Sequence, residues 1–238
     1  MTDKPIIYTA CFGDHDKPVD IPDLGGVADL VCFTDDTSLV DKLPHWRVFV
    51  RRSVFRSPRM DAKWFKMSAC HLFPDREWSI YIDSSVRVKE PHLMLQRCHH
   101  ALTGITTRGV RSPRASIALF EHPEDPLRSL EAEAEFSMTF PKYQGEPCIE
   151  QVAHYRSAGM PKALEGYRLY AGGCIARWHW PPIAELEKAW LDECVHWSVQ
   201  DQLSLPYVLW RHEMIPGVIP GNIYDNEFLM RVWSGPGR

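Results

Sequence analysis

Short apolar runs that end in polar tips recur along this chain and predict a series of buried strands. Residues 6–12, rich in β-branched and aromatic side chains, run into Gly13, Asp14, His15 and Asp16. Residues 30–33 end in Thr34, Asp35, Asp36, Thr37 and Ser38, and residues 46–50 lead into a basic stretch. From Ser57 onward Met60, Trp64, Met67 and Leu72 fall at roughly helical spacing. That spacing predicts one amphipathic helix, capped near Ser57 and stopped at Phe73 and Pro74. Residues 78–82 form the strongest strand signal, followed at once by Asp83, Ser84 and Ser85 and by a short strand over 86–88.

The second half reads as a helix over 93–102, a strand over 116–120, an acid-rich helix over 126–140 and a peripheral helical region over 142–159. A strand over 169–178 carries Gly172 and Gly173 inside it, which permits close approach of backbone or ligand. A helix over 182–198 is expected to end at Gln200, Asp201 and Gln202. Beyond His212, the positions Pro216, Gly217, Pro220 and Gly221 predict a loop-like tail over 213–238 that folds over a site. Alternating strands and helices give an α/β fold with a central, mostly parallel sheet flanked by helices. With 238 residues and no composition break, a single domain over 1–238 is expected. No GxGxxG follows the first strand and no GxxxxGK[ST] occurs, which argues against dehydrogenase and P-loop chemistry.

The net charge of −4 gives no general attraction to nucleic acid or anionic lipid. The exception is local. Arg47, Arg51, Arg52, Arg56, Arg59, Lys63 and Lys66 share a stretch whose one acid is Asp61, a pattern suited to a phosphate-bearing small molecule or to a solvated helix face. Seven scattered cysteines with no CxxC pair read as reduced core residues, which suggests a cytoplasmic protein without a structural zinc. The residues after Met1 have no apolar stretch of signal-peptide length, and no integral membrane segment is expected. A lipid-linked acceptor would therefore be met by visiting the membrane.

A carboxylate presented at a strand's end can bind a divalent ion that also bridges a diphosphate, so Asp83, beside Ser84 and Ser85, is the first candidate. Mn²⁺ or Mg²⁺ would suit its oxygen ligands, with His212 as a further ligand. An Asp that only closes a turn would look the same. Asp35 could accept from ribose hydroxyls, and Arg59 and Lys63 are favoured for neutralising a diphosphate. Asp201, flanked by two amides, could bind sugar hydroxyls, though a C-terminal helix turn would look the same. His122, Glu124, Arg128, Glu131 and Glu133 form a polar cluster in which any acid could be a general base.

The ordered series Tyr8-Thr9-Ala10-Cys11-Phe12-Gly13-Asp14-His15-Asp16, Cys32-Phe33-Thr34-Asp35, Lys63 with Lys66 and His71, Tyr81-Ile82-Asp83-Ser84-Ser85, His122-Pro123 and Gln200-Asp201-Gln202-Leu203-Ser204 resembles the TOD1/MUCI70 glycosyltransferase-like family from about residue 6 to about 207. The resemblance implies a GT-A-like nucleotide-sugar-binding fold in which Asp83 stands at the Asp-x-Asp metal motif, with Ser85 replacing the second Asp. By the same resemblance Asp35 would lie near the nucleoside, Lys63 near the diphosphate and Asp201 near the transferred sugar or acceptor. With the residues singled out above, the expected donor site is Thr9, Phe12, Gly13, Asp35, Arg59, Lys63, Asp83 and Ser84, and the expected metal ligands are Asp83, Ser85 and His212. Gly172, Gly173 and Gln202 would meet the acceptor, and Asp201 and Glu131 would be catalytic. The implied activity is metal-dependent sugar transfer from a nucleotide-sugar donor to a glycan or lipid-linked acceptor, in surface polysaccharide synthesis. A metal-dependent hydrolase and a non-catalytic nucleotide-sugar-binding module are the alternatives.

Overall fold

The computed structural model describes residues 4–13, 16–21, 24–55, 57–104, 115–162 and 168–232. Its centre is a seven-stranded sheet. β1 (Ile6–Cys11), β2 (Asp29–Thr34), β3 (Arg47–Val50) and β4 (Trp78–Ile82) run parallel, in the order β3-β2-β1-β4. β7 (Tyr170–Trp178) pairs antiparallel with β4, and β6 (Ile117–Glu121) pairs antiparallel with β7. β8 (Gly217–Val218) closes the far edge parallel to β6. Six strands thus point one way and β7 the other. A second, two-stranded sheet joins β5 (Val86–Val88) to β9 (Leu229–Arg231).

Away from the edge strands β3 and β8, the strands read as continuous apolar runs because both faces of the sheet are covered. Along β1, Ile6, Tyr8, Ala10 and Phe12 face one core while Ile7 faces the other; on β6, Ile117 and Leu119 oppose Ala118 and Phe120. The first core receives α2 (Pro58–Lys66), α3 (Ala69–Leu72), α5 (Leu130–Met138), α6 (Cys148–Ser157), α7 (Pro181–His196) and α8 (Asp201–Arg211). The second receives α1 (Leu39–Lys42) and α4 (Pro91–Thr103). Among the described residues no helix is long and apolar enough to cross a membrane.

Four local departures from the expected elements have physical causes. The single helix expected over residues 57–72 is two, because the Glu187 carboxylate accepts the N–H groups of Ala69 (3.1 Å) and Cys70 (3.0 Å) and so caps a fresh start at α3. Glu187 also takes Arg177 Nη1 at 2.7 Å, which pairs the fully buried guanidinium. The acid-rich helix begins at Leu130 rather than near residue 126. Ser129 is its N-cap, its hydroxyl accepting from Ala132 N–H at 3.1 Å. Replacing Ser129 with alanine should lower stability by about 1 kcal/mol, read as a lower denaturation midpoint at unchanged slope.

The third departure bears on function. The segment at Gln200-Asp201-Gln202 does not end a helix; Asp201 is the first residue of α8, which continues through Pro206. In the fourth, the tail is not only loop. Its described part, residues 213–232, adds β8 to the main sheet and β9 to the small one and brings Ile223, Tyr224 and Arg231 to a cleft. Residues 233–238 lie outside the described residues.

Candidate functional site

The parallel strands all end at one edge, where ligands meet open α/β sheets. Gly13 follows β1, Asp35 follows β2, Asp83 follows β4 and His122 follows β6, and β7, running the other way, enters at that edge with Tyr170 to Gly173. The β6–β7 register shifts there: Leu119 pairs with Ile175 but Phe120 with Ala171, so Gly172, Gly173 and Cys174 bulge out of the ladder. Beside this bulge lies a cleft of about 440 Å³. Its lining includes Lys63, Lys66, Asp83, His122, Glu124, Glu133, Lys142, Tyr143, Gly172, Gly173, Gln200, Asp201, Gln202, Tyr224 and Arg231.

Its floor is a buried charge cluster. Lys63 and Lys66 stand three residues apart on α2 and so share a face. Both ammonium groups lie 2.6 Å from Asp201 Oδ2, contacts that are ion pairs rather than well-aimed hydrogen bonds. Lys66 also lies 3.6 Å from Asp83 Oδ1 and 5.4 Å from the Tyr81 ring centre. Burial alone would raise the Asp201 pKa, but Lys63 and Lys66 outweigh it and hold the carboxyl well below the ordinary range. Burial alone would lower that of Lys63, and Asp201 outweighs it in turn. At the first turn of α8 the charge of Asp201 also meets the positive end of the helix dipole.

The double glycine makes room for this cluster. A Cβ on Gly172 would sit 2.8 Å from Lys66 Nζ and 3.3 Å from Asp201 Oδ2; one on Gly173 would sit 2.8 Å from Ile223 Cδ1 and 3.4 Å from Asp83 Oδ2. Asp83 is held by its own N–H, which donates to the Gly173 carbonyl at 2.8 Å, and its side chain stays about one-third exposed.

The wall towards β6 is acidic and ordered by one guanidinium. Arg128 reaches Glu133 Oε2 at 2.8 Å and Glu124 Oε2 at 3.3 Å, and the Tyr224 hydroxyl donates to Glu124 Oε1 at 3.4 Å. Glu133 is buried and Glu124 is open to solvent. The Asp125 N–H donates to His122 Nδ1 at 3.1 Å, which leaves Nε2 to carry the proton of the neutral ring, 3.9 Å from Glu133 Oε2. Burial first, then Arg128, lowers the His122 pKa; burial raises that of Glu133, opposed by Arg128. Two basic side chains, Lys142 and Arg231, line the cleft as well. Burial and then Arg231, Lys63 and Arg59 push the Lys142 pKa down.

Of the expected site residues, the fold brings Lys63, Asp83, Gly172, Gly173, Asp201 and Gln202 to the cleft. It gives others different work. Thr9 and Phe12 are core residues of β1 and its end, with Phe12 stacked on Phe65 at 5.3 Å. Gly13, in the left-handed region at φ +67°, donates its N–H to both oxygens of Asp35 at 3.0 Å, a contact that ties two loops together. Asp14, His15 and Arg56 lie outside the described residues. Arg59 donates to the Lys142 carbonyl at 2.5 Å. Glu131 does not line the cleft; its carboxylate is held by Arg156 at 2.9 and 3.0 Å. Lys142, Tyr143, Tyr224 and Arg231 were not anticipated. They come from segments read as peripheral or loop-like, and no local motif marks them.

The expected metal set does not assemble. Ser84 and Ser85 do not line the cleft, and the Ser85 carbonyl accepts the Val232 N–H at 2.8 Å. His212 caps the far end of α8, about 16 Å along the helix from Asp201, since each of the 11 residues rises about 1.5 Å. Among the described residues no group of three or more His, Cys, Asp or Glu is arranged to hold an ion. Beside Asp83 the cation already present is Lys66. The side chains here do not form an all-protein cage for a divalent ion, and the carboxylate that an ion could share with substrate phosphates, Asp83, already faces the Lys66 ammonium.

A model of the TOD1/MUCI70 glycosyltransferase-like domain matches residues 6–227, nearly the whole chain. The chain belongs to that family. Its mixed sheet, with one reversed strand and a cleft at the carboxyl edge, is the GT-A-like architecture expected of a TOD1/MUCI70 domain, and its function is glycosyltransferase-like. No curated protein matches it.

Proposed function

We propose that this domain transfers a sugar from a nucleotide-diphosphate donor to a glycan or lipid-linked acceptor, as in the building of a surface polysaccharide. The observation that carries the reading is the ammonium pair of Lys63 and Lys66, held ready on Asp201 at the floor of the cleft. Fixed cations aimed where negative charge develops stabilise a departing diphosphate without reorganising when it forms. The acceptor hydroxyl oxygen bonds to the anomeric carbon while the bond from that carbon to the diphosphate oxygen breaks, and the nucleoside diphosphate leaves with the electron pair. The acceptor's proton needs a base. Glu124 suits that task because it is the exposed carboxylate of the acidic wall and is oriented by Arg128 and Tyr224. Asp201 suits it less, since two ammonium ions make its carboxylate a weak base.

The test is a panel of UDP-, GDP-, CDP- and dTDP-sugars. A donor bound only by the native state raises the melting temperature, by mass action, and its slow turnover releases nucleoside diphosphate. A panel with neither a shift nor release would sink the proposal; release at one rate whatever acceptor is added would point to hydrolysis instead. Glu124→Gln should bind the active donor as tightly as the parent yet transfer on the order of 10²–10⁴-fold more slowly. Full transfer by that variant would remove Glu124 from the role.

A further inference from the structure

Lys66 is an unusual residue for its position. Its side chain is 4% exposed, and its ammonium lies between two carboxylates and near the Tyr81 ring in the floor of an open cleft. A lysine is expensive to bury, and the arrangement holds only because Asp201 lies 2.6 Å away and Gly172 lacks a side chain. Lys63 meets the same oxygen. One carboxylate oxygen between two ammonium ions leaves the group of three with a net positive charge, and Asp83, one-third exposed, balances it from 3.6 Å. Lys142 and Arg231 add positive charge along the adjoining wall. The cluster thus has the charge, the fixed geometry and the place at the strand ends that a divalent ion would otherwise supply, and the carboxylate such an ion would share with phosphate oxygens, Asp83, already faces the Lys66 ammonium.

We infer that the diphosphate of the donor is bound by Lys66 and Lys63 themselves, in place of a divalent ion held by Asp83. This inference rests on the nucleotide-sugar reading above. Asp201 is then the internal counter-ion that holds both lysines in place, and Asp83 is a competitor of the phosphate for Lys66 rather than a metal ligand. Phosphate oxygens approaching from the cleft replace Asp83 as the partner of Lys66.

The experiment is calorimetric titration of the purified protein with UDP, GDP, CDP, dTDP and inorganic pyrophosphate, each in EDTA and again with MnCl₂. The inference expects at least one nucleoside diphosphate, and pyrophosphate more weakly, to bind in EDTA with an affinity that Mn²⁺ does not improve. Lys66→Met should weaken that binding about 10–150-fold, the worth of one hydrogen bond to a charged group. Asp83→Asn, a change at a partly exposed position that should fold normally, should tighten metal-free binding because it removes the carboxylate that opposes the phosphate at Lys66. Circular dichroism on Lys66→Met separates lost binding from lost folding, and the Asp83→Asn result decides the matter if that variant does not fold. Binding that appears only with Mn²⁺ and disappears in Asp83→Asn would overturn the inference while leaving the donor reading intact. Absence of binding by every probe, with and without Mn²⁺, would overturn both.

Discussion

Asp201→Asn should cost about 3–5 kcal/mol of stability, the usual cost of removing one partner from a buried ion pair. For a domain of this size that corresponds to a fall in Tm of roughly 6–20 °C. The asparagine fills the space but leaves two ammonium ions within reach of one neutral carbonyl oxygen. Both must then desolvate without a counter-charge or turn out of the floor of the cleft. The pH dependence distinguishes this loss from a packing defect. Because the folded-state pKa of Asp201 is depressed, its contribution is complete above the ordinary carboxylate value of about 3.9 and is lost as pH falls through and below it. The stability gap between parent and variant should therefore be widest near neutral pH and should narrow on acidification. The raised pKa of Lys63 sets the other limit: its share is present below the ordinary lysine value of about 10.4 and fades above it. A gap that stays constant from neutral pH into strong acid would show that the ion pairs contribute nothing. Thermal melts at a series of pH values provide the measurement.

Gly172→Ala should abolish most activity while leaving the fold intact. The backbone at Gly172 lies outside the left-handed region, so alanine brings no conformational strain. Its methyl group would nonetheless sit 2.8 Å from Lys66 Nζ and 3.3 Å from Asp201 Oδ2. The lysine end cannot simply turn aside, because Asp201 on one flank and Tyr81 on the other define its position. Displacing a positioned charge by about 1 Å can cost on the order of 10²-fold in rate, and that loss is expected here in transfer or in donor turnover. Gly173→Ala is the internal comparison. Its methyl would meet the apolar end of Ile223 rather than a positioned charge, so its effect on rate should be much smaller. Parent-like kinetics for Gly172→Ala would mean that the position of Lys66 does not matter for the reaction. Steady-state rates and donor affinity for the two variants, beside their melting curves, make the comparison.

Much of the frame of this protein is written in local pattern. Five strands of the main sheet, β1, β2, β4, β6 and β7, are apolar runs long enough to recognise because both of their faces are buried, and β4 with Asp83 at its end and β5 after it follow directly from residues 78–88. The motif series that resembles the family is local as well, and the family model spans the same stretch. What misled was also local. The flanking amides Gln200 and Gln202 made a helix start look like a helix end, whereas Asp201 opens α8. The break between α2 and α3 depends on Glu187, over a hundred residues away, and no inspection of residues 57–72 reveals it.

The site itself divides the same way. Sequence alone determined which residues carry charge, which end of each strand is polar, and where two glycines sit in a strand. Tertiary structure alone decided that Lys63 and Lys66 meet on one oxygen of Asp201 beside Asp83, that His212 is a helix length away, and that Glu124 rather than Glu131 faces the cleft. The reason is range. Strand and helix patterns arise from neighbours a few residues apart, whereas burying Lys66 beside Lys63 requires a carboxylate from a distant helix and a missing side chain in a distant strand, brought together only when the sheet closes.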